Sequence, residues 1–309
     1  MKYLILGLGF VATHVAEYLS SYGEVVVTYR HLNPVKEVYA NALKEKGVKL
    51  VKVDPLEENI SGLVKDADAV INLVGEISGD EETLRRANVE VPTKVAKTVA
   101  KENPRAVMVH LSGMLGMTGN VRPEEKHCEG VAPTTTFERT KCEGEKAIRE
   151  AGVNAAILRP GLIYGKYGAH VQFVTMYKFA KRGFVPAIGF LFSSISANSV
   201  ARIIRAVVEE RPKFTYFYAT ECEPVKVDKF FEAMARALRK RYVKIPIPKS
   251  LAKAYLPADI RNLLKYDGSR FDCSKAKSYD KSLEFDEREV EENAKFLKSL
   301  DERGILIPT

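Results

Sequence analysis

The chain has 309 residues, 46% hydrophobic and 28% charged, so it is long enough to bury a full core and too apolar to be disordered. No apolar run reaches the length of a membrane span and no signal peptide precedes the first apolar run, so a cytoplasmic protein without a transmembrane segment is expected. The net charge of +8 brings nucleic acid into view, but acids are interspersed with the bases and no aromatic interleaving or nucleic-acid motif accompanies them, so no nucleic-acid partner is expected. Gln172 is the single glutamine, tryptophan is absent, and Lys, Arg and Glu are abundant, a composition that hints at a thermophilic protein. Cys128, Cys142, Cys222 and Cys273 show no metal-ligand spacing and read as reduced thiols.

The apolar run Tyr3–Leu6 predicts a buried strand, and Gly7-Leu8-Gly9-Phe10-Val11-Ala12 follows it at the GxGxxG/A spacing, with an amphipathic helix starting around Thr13. That order suits a dinucleotide. Gly7 permits the tight turn, Gly9 lets backbone approach a pyrophosphate, and Ala12 lets helix and strand pack closely. The helix N-terminus supplies N–H groups and positive dipole to the phosphates, and Phe10 and Val11 in the turn before it are expected among the cofactor contacts. A second strand, Glu24–Tyr29, ends at Arg30, where an NAD site usually has an acid for the ribose hydroxyls. A guanidinium there suits the 2′-phosphate of NADP, so NADP is expected over NAD. A third strand, Val48–Val53, runs into Asp54, placed to meet the adenine. A fourth, starting at Ala69, continues through Leu73 and Val74 to Gly75, which can lie along the cofactor.

The alternation continues with a helix over Glu82–Lys101, a strand over Ala106–Leu111 that delivers Ser112-Gly113, a helix over Phe137–Glu150 and a strand over Ala155–Leu158. This is the pattern of a doubly wound parallel α/β sheet, which binds ligands at the carboxyl ends of its strands. The last strand leads into Arg159-Pro160-Gly161-Leu162-Ile163-Tyr164-Gly165. Tyr164 either faces a nicotinamide or packs at a strand end. His127 sits in the irregular segment 122–136, His110 reads as core, and His14 lies in the first helix turn. Thr134-Thr135-Thr136 either bind a substrate or cap the following helix.

The glycine motif, Asp54, Asn72 to Gly75, Asn88, Ser112, Lys141 and the Arg-Pro-Gly-x-x-Tyr-Gly segment fall in the order of a known family. Over roughly the first 220 residues the chain resembles an extended short-chain dehydrogenase/reductase of the NAD-dependent epimerase/dehydratase superfamily. The resemblance implies a Rossmann domain, cofactor contacts from Asn88, Ser112, Lys141 and Pro160, and catalytic roles for Ser112 and Lys141. Arg30 and Ile245-Pro246-Ile247-Pro248 resemble a narrower branch that includes the nucleotide-binding accessory subunit of respiratory complex I. Asn198 stands where the family usually has an aspartate, and Leu6 where its first glycine would align. The largest departure is in the Tyr-x-x-x-Lys pair, which here reads Phe137-Glu138-Arg139-Thr140-Lys141. The lysine remains and the phenol that moves the proton is gone. Ser112 or Gly113 occupies the family's serine slot.

Residues 1–165 and 195–222 are expected to form the NADP-binding Rossmann domain, and 166–194 with 223–309 a smaller, discontinuous substrate domain. Its apolar run Arg182–Phe192 can line a pocket for a hydrophobic small-molecule substrate, make a subunit contact in a homodimer or larger complex, or pack in the core. A helix is expected over Val227–Arg241, its basic end Arg236–Arg241 complementing the helix dipole, and another over Glu287–Arg303. Three functional readings follow: an NADP(H)-dependent oxidoreductase with a surrogate proton donor, a non-catalytic NADP(H)-binding sensor or assembly factor, and a nucleotide-sugar epimerase or dehydratase. The third is disfavoured by the missing phenol and by Arg30.

Overall fold

Strands β1 (Lys2–Leu6), β2 (Glu24–Tyr29), β3 (Lys49–Lys52), β4 (Ala69–Asn72) and β5 (Val107–Leu111) are apolar on both faces, and side chains alternate between two cores. Tyr3 and Ile5 join one core while Leu4 and Leu6 join the other. The computed structural model describes residues 1–114, 120–121, 133–255, 261 and 264–308; His127, Cys128 and most of segment 122–136 lie outside them. The two-residue strand β6 (Asn120–Val121) stands apart, and β7 (Ala155–Pro160) returns to the sheet. Outside it, β8 (Leu162–Tyr164) pairs with β11 (Ser194–Ser196), β9 (Phe184–Ala187) with β14 (Val243–Pro246), and β10 (Leu191–Phe192) with β13 (Val225–Lys226). β12 (Phe214–Ala219) is the seventh strand of the main sheet, and β15 (Arg270–Phe271) pairs with β6.

The main sheet has the order β12-β7-β5-β4-β1-β2-β3, with every pair parallel. This is a doubly wound Rossmann sheet. The chain steps outward from β1 to β3, then crosses back to lay β4 on the other side of β1, so the switch point lies between the carboxyl ends of β1 and β4. One face carries α1 (Phe10–Leu19) and α2 (Pro34–Glu45). The other carries α3 (Ser61–Lys65), α5 (Val91–Glu102) and α6 (Thr136–Glu150), with α4 (Glu81–Arg85) leading into α5. The core on the α1 face continues without a break into α7 (Val171–Lys181), α8 (Ala197–Glu210) and α9 (Val227–Ala237). The described residues also form α10 (Lys249–Tyr255), α11 (Ser274–Tyr279) and α12 (Glu287–Glu302). Among the described residues no helix is long and apolar enough to cross a membrane.

Three expectations change. The helix expected over Glu82–Lys101 is interrupted by a π-helical turn at Arg86–Glu90. Pro92 has no N–H for the carbonyl of Asn88, and α6 closes on that carbonyl so tightly that a side chain at Gly144 would collide with it. Helix α9 stops at Ala237, because Arg239 adopts a left-handed φ of 53° and turns the chain toward β14. The cysteines are not all thiols: Cys222 and Cys273 form a disulfide across 51 residues of sequence, and Cys142 is also disulfide-bonded. A pair so far apart in sequence meets only once β12 and β15 are in place.

Candidate functional site

At the switch point Gly7 has a φ of +93°, open to glycine at little cost, and its N–H donates to Thr28 Oγ1 at 3.2 Å. A Cβ on Gly7 would come within 2.9 Å of Val74 Cγ2, so the turn and the end of β4 nearly touch. Leu73 and Val74 are fixed there by N–H bonds to Leu6 O at 3.1 Å and Asn72 Oδ1 at 3.2 Å. Gly9 opens α1 with no side-chain cap, and nothing lies within 4 Å of where its Cβ would stand. The first intrahelical bond runs from Thr13 N to Gly9 O at 2.9 Å. The N–H groups of Phe10, Val11 and Ala12 therefore have no partner within the helix, the orphan donors of a helix start, and the space in front of Gly9 is open. The side chains of Phe10 and Ala12 are buried, so these residues offer backbone. The cradle fits a dinucleotide diphosphate.

At the rim, Asp54 gathers two guanidiniums. Its Oδ2 accepts from Arg86 Nη2 at 3.2 Å and lies 3.8 Å from Arg30 Nη1, while Oδ1 accepts from Leu56 N at 2.8 Å. Burial works against ionisation, but the Leu56 N–H and the two guanidiniums hold the carboxyl below its ordinary range. Arg86, which sequence reasoning missed, also reaches Glu57 at 2.7 Å. Its signal was position alone, two residues before Asn88.

Beyond the diphosphate cradle, Gly75, Asn88 and Lys141 converge. A Cβ on Gly75 would fall on Lys141 Nζ and stand 3.3 Å from Asn88 Oδ1. Buried Asn88 accepts from Glu76 N at 3.0 Å and donates to Glu76 O at 2.9 Å and Thr140 Oγ1 at 3.1 Å, which fixes its amide. Lys141 is 4% exposed and donates weakly to Leu111 O at 3.4 Å. Burial lowers its pKa to about 8, against the opposing pull of Glu145 and Glu76. The Phe137 ring centroid lies 5.9 Å from Lys141 Nζ, and a Cβ on Gly113 would touch that ring at 3.0 Å. Ser112 turns inward, its hydroxyl donating to Glu145. Glu145 in turn accepts from Arg159 Nη2 at 2.8 Å and Nε at 3.2 Å, with both side chains fully buried. This pair was also missed; its only trace in the sequence is Glu145 one helical turn after Lys141.

The helix carrying Phe137 and Lys141 is held at its start. Thr135 caps it, its hydroxyl accepting from Glu138 N at 3.2 Å in a capping box. Buried Glu138 accepts from Tyr266 Oη at 2.6 Å and pairs with Lys265, so the C-terminal part of the chain grips α6 beside the site. Pro160 is buried at the end of β7 opposite Ala219. Tyr164 stands elsewhere: its Oη donates to Glu221 Oε1 at 2.6 Å and accepts from Asp286 N at 2.7 Å, and its ring packs on Phe230 and Phe285. Burial first, then Glu221, pushes its pKa far up. The structure does not bring it to Lys141.

A separate polar cleft of about 410 Å³ lies between α1, α8 and α12. There His14 Nδ1 donates to Asn198 Oδ1 at 3.2 Å and Nε2 accepts from Tyr167 N at 3.2 Å. Burial lowers the His14 pKa to about 4. Nearby Glu289 is pushed up to about 7 by burial and by Asp286.

The sequence matches the profile of the NAD dependent epimerase/dehydratase family over residues 3–182. A curated relative from Streptomyces antibioticus, a probable dTDP-4,6-dihydroxy-2-methyloxan-3-one 4-ketoreductase, is 30% identical over 113 residues, which span 37% of this chain and 38% of that relative. UDP-glucuronic acid 4-epimerase from Bacillus cereus, solved with NAD, superposes with a TM-score of 0.78 at 17% identity, covering 97% of each chain. UDP-N-acetylglucosamine 4-epimerase from Methanobrevibacter ruminantium M1 superposes at 0.75 and 16% identity, covering 97% of this chain and 99% of that one. At these identities the superpositions speak for the fold.

Proposed function

Because the chain belongs to the NAD dependent epimerase/dehydratase family, we propose that it is an NADP(H)-dependent oxidoreductase that moves its proton without a phenol. The reading is carried by the convergence of the Gly7–Gly9 cradle, Gly75, Asn88 and Lys141 on one crevice. Bound there, the dinucleotide would supply or accept hydride. The first-turn N–H groups of α1 hold its diphosphate, and the Lys141 ammonium binds ribose hydroxyls. Arg30 and Arg86 supply positive charge for a 2′-phosphate at the rim, where relatives solved with NAD support only the nicotinamide dinucleotide in general.

Phe137 carries no proton, and Ser112 Oγ is engaged by Glu145. Among the described residues that leaves Lys141 Nζ, with a pKa of about 8, as the group that holds an exchangeable proton beside Phe137 and Ser112. The Phe137 ring and the bare backbone at Gly113 make the substrate side apolar, which favours a small hydrophobic carbonyl compound or alcohol. The second reading, a non-catalytic NADP(H)-binding sensor or assembly factor, draws on the same replacement of the tyrosine by Phe137.

The test is hydride transfer from NADPH and NADH to a panel of apolar carbonyls and of UDP- and dTDP-linked keto sugars, with wild type and Phe137→Tyr. Turnover of an apolar carbonyl by wild type supports the first reading. Tight binding without turnover supports the second. Ordinary turnover of nucleotide sugars, at about 1–10³ s⁻¹, would favour the epimerase/dehydratase alternative.

A further inference from the structure

From Arg239 to Lys253 the chain carries six basic residues, Arg239, Lys240, Arg241, Lys244, Lys249 and Lys253, and no acidic one. Because α9 stops at Ala237, these side chains do not close a helix; they run along β14 and onto α10. β14 belongs to a two-stranded sheet with β9, and all four of its residues are exposed. The register sets exposed Val243 beside exposed Phe184, and exposed Ile245 beside Pro186, which is buried like Val185. Val243 is 64% exposed, Leu251 50%, Phe184 43% and Ile245 41%. Leu251 is exposed on α10 while the adjoining Ala252 is buried in the core.

The acids that reach this edge come from other elements: Glu232 pairs with Lys244 at 2.7 Å and Asp267 with Lys249 at 2.5 Å. Arg239, Lys240, Arg241 and Lys253 are all exposed. Exposed apolar side chains interspersed with cations along one edge match a surface that is anionic outside and apolar just beneath. A nucleic acid matches the charge, but of these exposed apolar residues Phe184 alone offers bases a ring to stack on, and Val243, Ile245 and Leu251 are aliphatic. We propose that the β14–α10 edge docks on anionic phospholipid bilayers, with Val243, Ile245 and Leu251 at the headgroup boundary and the basic side chains among the headgroups. The association is peripheral, and it stands independently of the proposed catalytic reading.

The experiment is sedimentation of the full-length protein with vesicles of phosphatidylcholine alone and of phosphatidylcholine mixed with phosphatidylglycerol. The protein should pellet with the mixed vesicles only, and lose that binding in about 0.5 M salt, where charge is screened within a few ångströms. Lys240→Glu with Arg241→Glu should weaken binding about tenfold or more. Val243→Ser with Leu251→Ser, which leaves the charge unchanged, should weaken it about tenfold. Both variants should keep the wild-type melting temperature and dinucleotide affinity. Failure to pellet with either vesicle, equal pelleting with both, or unweakened binding by the serine variant would overturn the proposal; the last result would mark a simple charge contact, as with an acidic protein.

Discussion

The ammonium of Lys141 occupies the space in front of Gly75: a methyl group on Gly75 would fall on Nζ. Gly75→Ala must therefore displace Lys141, and it should weaken dinucleotide binding about tenfold, as should Lys141→Met. The two differ in stability. Wild-type Lys141 has a folded pKa of about 8 against an ordinary 10.5, so between those values the unfolded chain holds a proton that the folded chain has lost, and stability rises with pH. Lys141→Met should lack that rise and melt no lower than wild type at pH 7. Calorimetric titration and chemical denaturation at pH 7 to 10 measure both; wild-type affinity in Gly75→Ala would contradict the site geometry.

Arg159 and Glu145 are both fully buried and joined at 2.8 Å. Arg159→Met removes the guanidinium that neutralises this buried carboxylate, whose hydrogen bond from Ser112 remains, and should cost about 3–5 kcal/mol. Adding Glu145→Leu should recover much of that loss, because the stranded charge is removed. Urea denaturation checks this, and a double variant no more stable than the single would contradict it.

His14 and Glu289 line one cleft and titrate in opposite senses. The folded pKa of His14 is about 4 against 6.5, so its contribution to stability is lost as pH falls from 6.5 to 4. The folded pKa of Glu289 is about 7 against 4.5, so its contribution is lost as pH rises from 4.5 to 7. Relative to wild type, His14→Gln should fare better at pH 5 than at pH 7.5, and Glu289→Gln better at pH 8 than at pH 5. PH-independent differences in unfolding free energy would refute the assignments.

Reduction of the Cys222–Cys273 bridge, which closes a loop of 51 residues, should lower stability by about 2–4 kcal/mol. Cys222→Ser with Cys273→Ser should show the same loss and respond less to reductant than wild type, the remaining response coming from the Cys142 disulfide. A melting temperature unchanged by reductant would contradict a structural role.

The Rossmann half was legible because its strands are short, doubly buried and separated by clear turns; β2 occupies the expected Glu24–Tyr29. The strand–glycine–helix order around Gly7 and Gly9 was local, and so could be read from neighbouring residues. What escaped depends on contacts far apart in sequence. The π turn at Arg86–Glu90 is shaped by Pro92 locally but by the approach of Gly144 globally. The inward turn of Ser112 needed Glu145, and the Asp54 cluster needed Arg86, 32 residues on. The thiol reading of Cys222 and Cys273 failed for the same reason: spacing rules see motifs, and this pair is made by the sheet.

Arg30 carries the cofactor assignment. It lies at the end of β2 with Arg86 across Asp54, and a charge-assisted bond to a 2′-phosphate contributes roughly 1.5–3 kcal/mol, or about tenfold or more in affinity. The decisive measurement is calorimetric titration of the wild-type protein with NADPH and with NADH. The expected result is NADPH binding at least about tenfold tighter, with the gap closing in Arg30→Ala. Equal affinities in the wild type, or a preference for NADH, would contradict the account.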